Sequence, residues 1–218
     1  AGAEAHIITS LEEIAWLFNL RGRDVLHTPV FYAFALVELE RVRVYLLNDE
    51  KKVKSLFDDG IEIKLYTAIF DELKTLKAKS IMYDENTISY RLFESIPHSC
   101  RAVKCKDPAM LMKAVKNSAE IACTKHAHIR DGAAVARFIK WLKANVSTDE
   151  ITEISAADYL WEERRRQGAY DLSFDTIAGY GPHGAIIHYE AAPETNAELK
   201  PEGFLLVDSG GQYEDGTT

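Results

Sequence analysis

Two strand-like segments, the apolar run 30–37 and residues 42–47, are separated by only Glu38-Leu39-Glu40-Arg41. Strands joined by so few residues must fold back on each other, because a parallel pair needs a crossover of a dozen residues or more. Part of the sheet is therefore antiparallel, which excludes an all-helical bundle and a purely parallel doubly wound sheet. Around this hairpin, strand and helix patterns alternate. Residues 6–9 read as a strand, and Ser10-Leu11-Glu12-Glu13 as a capping box opening a helix that carries Leu11, Ile14, Leu17 and Phe18 at helical spacing. Strand 61–66, helix 70–77, strand 80–83, helix 89–96 and strand 101–103 follow. That alternation predicts an α/β layer, forming a domain of about a hundred residues that ends near Asp107-Pro108, with its boundary placed at residue 113.

Beyond the boundary, Asn117-Ser118-Ala119-Glu120 predicts the capped start of a long helix bearing Ile121, Ile129, Val135, Phe138, Ile139 and Leu142 and ending at Asn145. Ser155-Ala156-Ala157-Asp158 reads as the cap of another helix, closing at Arg164-Arg165-Arg166, a solvated end whose cations offset the helix dipole. The last fifty residues are punctuated by glycines, and 185–189 and 204–207 read as strands.

Charge and cysteine usage narrow the function classes. Twenty-six basic residues against 34 acidic ones leave a formal charge of −8, so no field exists to hold a polyanion; nucleic acid and anionic membranes are excluded as expected partners. The longest apolar run, 30–37, is far shorter than the roughly 20 residues of a membrane-spanning helix. The N-terminus lacks the basic and apolar regions of a signal peptide. Three cysteines, Cys100, Cys105 and Cys123, have no zinc-ligand spacing and read as structural thiols of a reducing compartment, the cytoplasm.

Two residues stand out chemically. Asp208 closes what reads as a buried apolar strand, a position suited to a hard-metal ligand. His188 lies in the apolar run 185–189. The tetrad Asp208-Ser209-Gly210-Gly211 matches that around the nucleophile of trypsin-like proteases, but Val207 precedes it, Gln212 follows it, and the first half is rich in helices. An all-β double barrel is incompatible with that, so the serine-nucleophile reading is rejected.

A joint pattern carries more. It comprises Thr152-Glu153-Ile154-Ser155-Ala156-Ala157-Asp158, Asp171-Leu172-Ser173-Phe174-Asp175-Thr176-Ile177, Gly181-Pro182-His183-Gly184-Ala185-Ile186-Ile187-His188-Tyr189, Pro193-Glu194-Thr195-Asn196 and Val207-Asp208-Ser209-Gly210-Gly211-Gln212-Tyr213-Glu214-Asp215-Gly216-Thr217-Thr218. Together these resemble the Xaa-Pro aminopeptidases of three-domain cytosolic eukaryotic type, within the creatinase/prolidase-like metallopeptidases. Residues 9–22 are similar to the second domain of the same enzymes.

The resemblance implies an α/β (α+β) chain: a creatinase/prolidase N-terminal-type domain, latter part, over 1–113, then the N-terminal half of a pita-bread catalytic domain over 114–218. It implies an internal fragment of a longer enzyme that releases the N-terminal residue from peptides with proline second. Two divalent ions, manganese by expectation, activate hydroxide there. Asp208 matches the first aspartate ligand, and the second falls immediately past Thr218; Asp215 matches a position that is not a ligand. His188 matches a histidine that binds substrate and steadies the tetrahedral intermediate, whereas His183 stands where asparagine is common and receives no role. The resemblance also implies a homodimer, peptide substrates as partners, and a second domain that walls the cleft, to which Trp16, Phe31, Tyr32 and Phe34 could contribute. The 218-residue chain alone is expected to be inactive and not to hold the metal pair. Alternatives are a non-catalytic pita-bread binding module and a prolidase.

Overall fold

The structure, a computed structural model, describes residues 2–47 and 53–218. These form two compact units, Ala1–Val115 and Lys116–Thr218.

In the first unit, β1 (Ala5–Ile8), β2 (Ala33–Glu38), β3 (Val42–Leu46), β4 (Ile61–Leu65), β5 (Ser80–Tyr83) and β6 (Arg101–Lys104) make one sheet in the order β4-β3-β2-β1-β5-β6. The expected hairpin is present: β2 and β3 pair antiparallel from Ala33↔Leu46 to Val37↔Val42. Strand β1 is antiparallel to β2, and the β1–β5, β3–β4 and β5–β6 pairs are parallel. Strand β2 starts three residues later than the apolar run suggests. The backbone ahead of it is engaged elsewhere, Asp24 N donating to Val30 O and Tyr32 N to the Asp24 carboxylate at 2.9 Å.

Alternation along the strands supplies two cores, one on each face. Ala5, Ile7, Leu36, Tyr45 and Ile81 join Ile69, Leu73 and Leu92 from helices α2 (Ala68–Lys74) and α3 (Tyr90–Glu94). Ile8, Ala33, Ala35, Val44 and Ile63 join Ile14 and Ala15 from α1 (Leu11–Leu17), capped by Ser10 as its sequence predicts. Phe31 and Phe34 belong to these cores, while Tyr32 is exposed. The sequence reading missed α4 (Pro108–Ala114): Asp107 caps it and Pro108 occupies its first turn, where a missing N–H costs nothing.

The second unit contains α5 (Ser118–Asn145), α6 (Glu153–Arg166), a three-stranded sheet in the order β11-β10-β7 (Gly216–Thr217, Gly211–Tyr213, Asp171–Leu172) and a pair β8 (Ile177–Tyr180) with β9 (Leu205–Asp208). Asn117 and Glu120 form the capping box of α5. The face of α5 that turns inward carries Ala127, Asp131, Ala134 and Phe138; the expected apolar positions Ile121, Ile129 and Ile139 are exposed. Phe138, Ile151, Ala156, Leu160 and Leu199 make the core beneath Leu205 and Val207 of β9.

Four expectations are corrected here. Helix α6 is capped by Thr152, three residues earlier than read, with Ser155 as its capping-box partner. Arg164 is no solvated helix end: it is 1% exposed and bonded to Asp131. Residues 185–189 form no strand, because a 3-10 turn (Gly181–Ala185) with Pro182 in its first positions runs into them and the chain then bends and turns through Ile187 and His188. The run 204–207 is not buried throughout: Phe204 is exposed, and β9 alternates between Leu205 and Val207 on the core and Leu206 outside, since a two-stranded sheet has only one covered face here.

Candidate functional site

Asp208 is the last residue of β9, exposed and opposite Ile177, the first residue of β8. Behind it, Gly210 is enclosed so tightly that a Cβ would lie 2.0 Å from the Thr218 carbonyl and 2.3 Å from Ser173 Oγ. Gly211 N donates to Thr218 Oγ1 at 3.0 Å, and Ser173 Oγ to Thr218 O at 2.9 Å. Thr218 is thereby pinned beside the residues that follow Asp208.

Two charged clusters tie β10, and its turn to β11, to helices α5 and α6. Asp215 pairs with Arg130 and lies 2.6 Å from His126 Nδ1; those contacts hold its carboxyl below the usual range. Asp131 accepts from Arg164 Nε at 2.7 Å and Nη2 at 3.1 Å and from the Tyr213 hydroxyl at 3.0 Å. Burial pushes the Asp131 carboxyl up, but the hydrogen bonds and charge of Arg164, with the Tyr213 bond, leave it lowered overall. Burial and the Asp131 charge push the Tyr213 hydroxyl up.

His188 lies on a turn with φ +55°, its side chain exposed. The neighbouring Tyr189 is buried, and its hydroxyl donates to Glu153 Oε2 at 2.7 Å. Glu153, the first residue of α6 and fully enclosed, also accepts from Tyr180 N at 2.6 Å and Ala197 N at 3.0 Å, and His183 Nδ1 lies 2.9 Å from its Oε1. The His183 ring stacks on Tyr189 with centroids 4.7 Å apart. Burial raises the Glu153 carboxyl, yet its backbone donors at Ala197 and Tyr180, together with Tyr189 and His183, bring it below the ordinary range. Sequence reasoning gave neither Glu153 nor His183 a role. The signal available was the Thr152-x-x-Ser155 capping box, which places Glu153 at the helix start.

No hydrogen bond or ion pair joins His188 to Asp208 among the described residues; β8 connects them, pairing with Asp208 at one end and entering the His188 loop at the other. Asp208 offers the hard oxygens that divalent cations take, but one carboxylate is not a site. Among the described residues no three His, Cys, Asp or Glu side chains gather to hold a metal ion, so this set does not fit a metal pair by itself. A cavity of about 360 Å³ bordered by His6, Met82 and Cys105 lies in the first unit and contains neither candidate. No helix among the described residues is long and apolar enough to cross a membrane.

Comparison with known proteins gives a consistent set of matches. Residues 1–120 match the creatinase/prolidase N-terminal domain, and residues 122–218 match metallopeptidase family M24. Aminopeptidase P2 of Arabidopsis thaliana is 36% identical over 253 aligned residues, covering 100% of this chain and 36% of that protein. Xaa-Pro aminopeptidase 1 of Dictyostelium discoideum is 40% identical, covering 99% of this chain and 35% of that protein. The chain thus spans about a third of the length of these relatives. Among solved structures, the X-prolyl aminopeptidase of Caenorhabditis elegans, described as a cytosolic enzyme with a di-nuclear active site, superposes with a TM-score of 0.92 at 28% identity, over 99% of this chain and 37% of that one. The Xaa-Pro dipeptidase of Bacillus anthracis shares the fold, with a TM-score of 0.72 at 19% identity over 100% of this chain and 59% of that one.

Proposed function

The chain belongs to the creatinase/prolidase N-terminal domain family and continues into metallopeptidase family M24, and on that premise we propose that the full-length protein is a metal-dependent Xaa-Pro aminopeptidase. The observation that carries this reading is the likeness, over 99% of the chain at a TM-score of 0.92, to an X-prolyl aminopeptidase. Residues 1–113 are then the latter part of the domain preceding the catalytic one, and 114–218 the first half of the catalytic domain. Asp208 supplies one ligand of a site for two divalent ions, taken to be manganese, whose other ligands the rest of the protein provides. The protein works in the cytoplasm as a homodimer, on peptides.

A bond to proline is a tertiary amide without an N–H, so enzymes that recognise that donor handle it badly. A dedicated site must grip the carbonyl instead. The exposed imidazole of His188 is the group of this chain suited to that task. A ring N–H donates to the scissile carbonyl oxygen, and the bond strengthens as that oxygen gains charge in the tetrahedral intermediate. Asp208 contributes carboxylate oxygens to hold the cations.

The test is release of arginine from Arg-Pro-Pro by the full-length protein with manganese and again after chelation. Metal-dependent release is expected. Cleavage of Arg-Pro alone would mark a prolidase, and no cleavage of either would favour a binding module.

A further inference from the structure

Glu153 is 0% exposed, and a buried carboxylate is costly unless its oxygens are fully hydrogen-bonded. Here they are: Tyr180 N and His183 Nδ1 reach Oε1, while Tyr189 Oη and Ala197 N reach Oε2. The four partners come from one excursion of the chain. Tyr180 ends β8, His183 lies in the 3-10 turn, Tyr189 follows His188, and Ala197 closes the loop where Thr152 bridges Glu198. Ala197 is held twice, since its carbonyl also accepts from Glu153 N at 3.0 Å. Asn196 Oδ1 accepts from the next amide of α6, Ile154 N, at 3.1 Å.

The middle of this loop has little else to fix it. Ile186, Ile187 and His188 are all exposed, and His188 holds a left-handed φ of +55°. A loop with few apolar contacts opens at low cost, and a non-glycine residue leaves the left-handed region once its surroundings cease to impose it. The nearest anchor to His188 is Tyr189, seated by its hydroxyl bond to Glu153 and by the stacked His183 ring.

We infer that Glu153 is a positioning residue for His188, acting through Tyr189 and His183 to hold the imidazole at one place and angle. The catalytic part of this inference rests on the proposed role of His188 in substrate binding. His183 belongs to the clamp as a donor, a role that an asparagine amide could also fill.

The test uses the full-length protein. Tyr189→Phe keeps the ring and removes only the hydroxyl, and Glu153→Gln keeps the shape and removes the charge. Each is expected to lower kcat/KM on Arg-Pro-Pro about tenfold, and by less than about twofold when His188 is already alanine, because residues acting through one group are not additive. His183→Asn, which retains a donor, loses less than His183→Ala. Equal losses with and without the His188 imidazole would overturn the inference.

Amide exchange over residues 181–196, which needs no turnover, separates this inference from the functional reading. Faster exchange in Y189F and E153Q supports the clamp, and unchanged exchange overturns it. Were the unsubstituted protein inactive on Xaa-Pro peptides, the catalytic part would fall with the functional reading, and exchange alone would decide whether the clamp exists.

Discussion

Arg164 meets Asp131 in two parallel hydrogen bonds, Nε to Oδ1 at 2.7 Å and Nη2 to Oδ2 at 3.1 Å, joining α6 to α5 with only 1% of the arginine exposed. Tyr213 of β10 adds a third bond to the same carboxylate. A charge pair enclosed in this way holds geometry more than it adds stability, and its cost appears when one partner is removed and the other stays buried.

Arg164→Ala should therefore destabilise the second unit by about 3–5 kcal/mol, whereas replacing both partners by apolar residues of similar volume should cost much less. Urea unfolding of the single and double variants measures this. A single variant as stable as the unsubstituted protein would contradict the pairing.

The same carboxylates set an acid limit. Asp131 and Asp215 have folded pKa values below their ordinary one: for Asp131, burial is outweighed by Arg164 and Tyr213, and for Asp215, His126 and Arg130 act together. A depressed carboxylate contributes stability that is present above its unfolded pKa, about 3.9, and is lost as pH falls through the lower folded value. The urea midpoint should thus hold steady down to about pH 5 and fall below about pH 4. Asp215→Asn should flatten part of that fall; parallel curves for the two proteins would show that Asp215 contributes nothing to it.

The first unit was the more legible from sequence, and the reason is physical. Its central strands lie in a sheet covered on both faces, so Leu36, Tyr45 and Ile81 are buried on one side and Ala35, Val44 and Ile63 on the other, and the apolar pattern marks those strands, although β2 begins three residues inside its run. In the second unit the same rule misled. Phe204, Ile186 and Ile187 are apolar but exposed, while the enclosed residues include Glu153, Asp131 and Arg164, whose burial depends on partners distant in sequence. Asp208 could be located as a strand end because a strand, a carboxylate and a turn are all local features. The clamp around Glu153 could not, since its donors lie 27 to 44 residues away.

Gly210 tests how closely the chain is pressed behind Asp208. An added methyl would meet the Thr218 carbonyl at 2.0 Å, and backbone cannot swing aside as a flexible side chain can. Gly210→Ala should destabilise by about 1–3 kcal/mol, the range for an overpacked site. Thermal unfolding should show the lower midpoint; an unchanged midpoint would mean that the turn accommodates the methyl.

Asp208 is a contrasting case, exposed at a strand end. Asp208→Ala should alter stability by no more than about 0.5 kcal/mol, as surface substitutions do, while abolishing metal-dependent cleavage of Arg-Pro-Pro in the full-length protein. Retained activity would remove Asp208 from the metal site.

His188 should separate stability from activity. Its φ of +55° lies where side chains other than glycine are disfavoured. The conformation costs a non-glycine residue about 1–2 kcal/mol, of which glycine recovers a part while losing more backbone entropy on folding. His188→Gly should therefore be at least as stable as the unsubstituted protein, and His188→Ala less stable than His188→Gly, because alanine keeps the Cβ penalty. Both variants should lose the imidazole contact to substrate and fall to the same low kcat/KM. Measuring urea midpoints and peptide cleavage on the pair checks both parts. If His188→Gly were the less stable of the two, the turn would not be imposing strain; if either retained full activity, the imidazole would have no part in binding substrate.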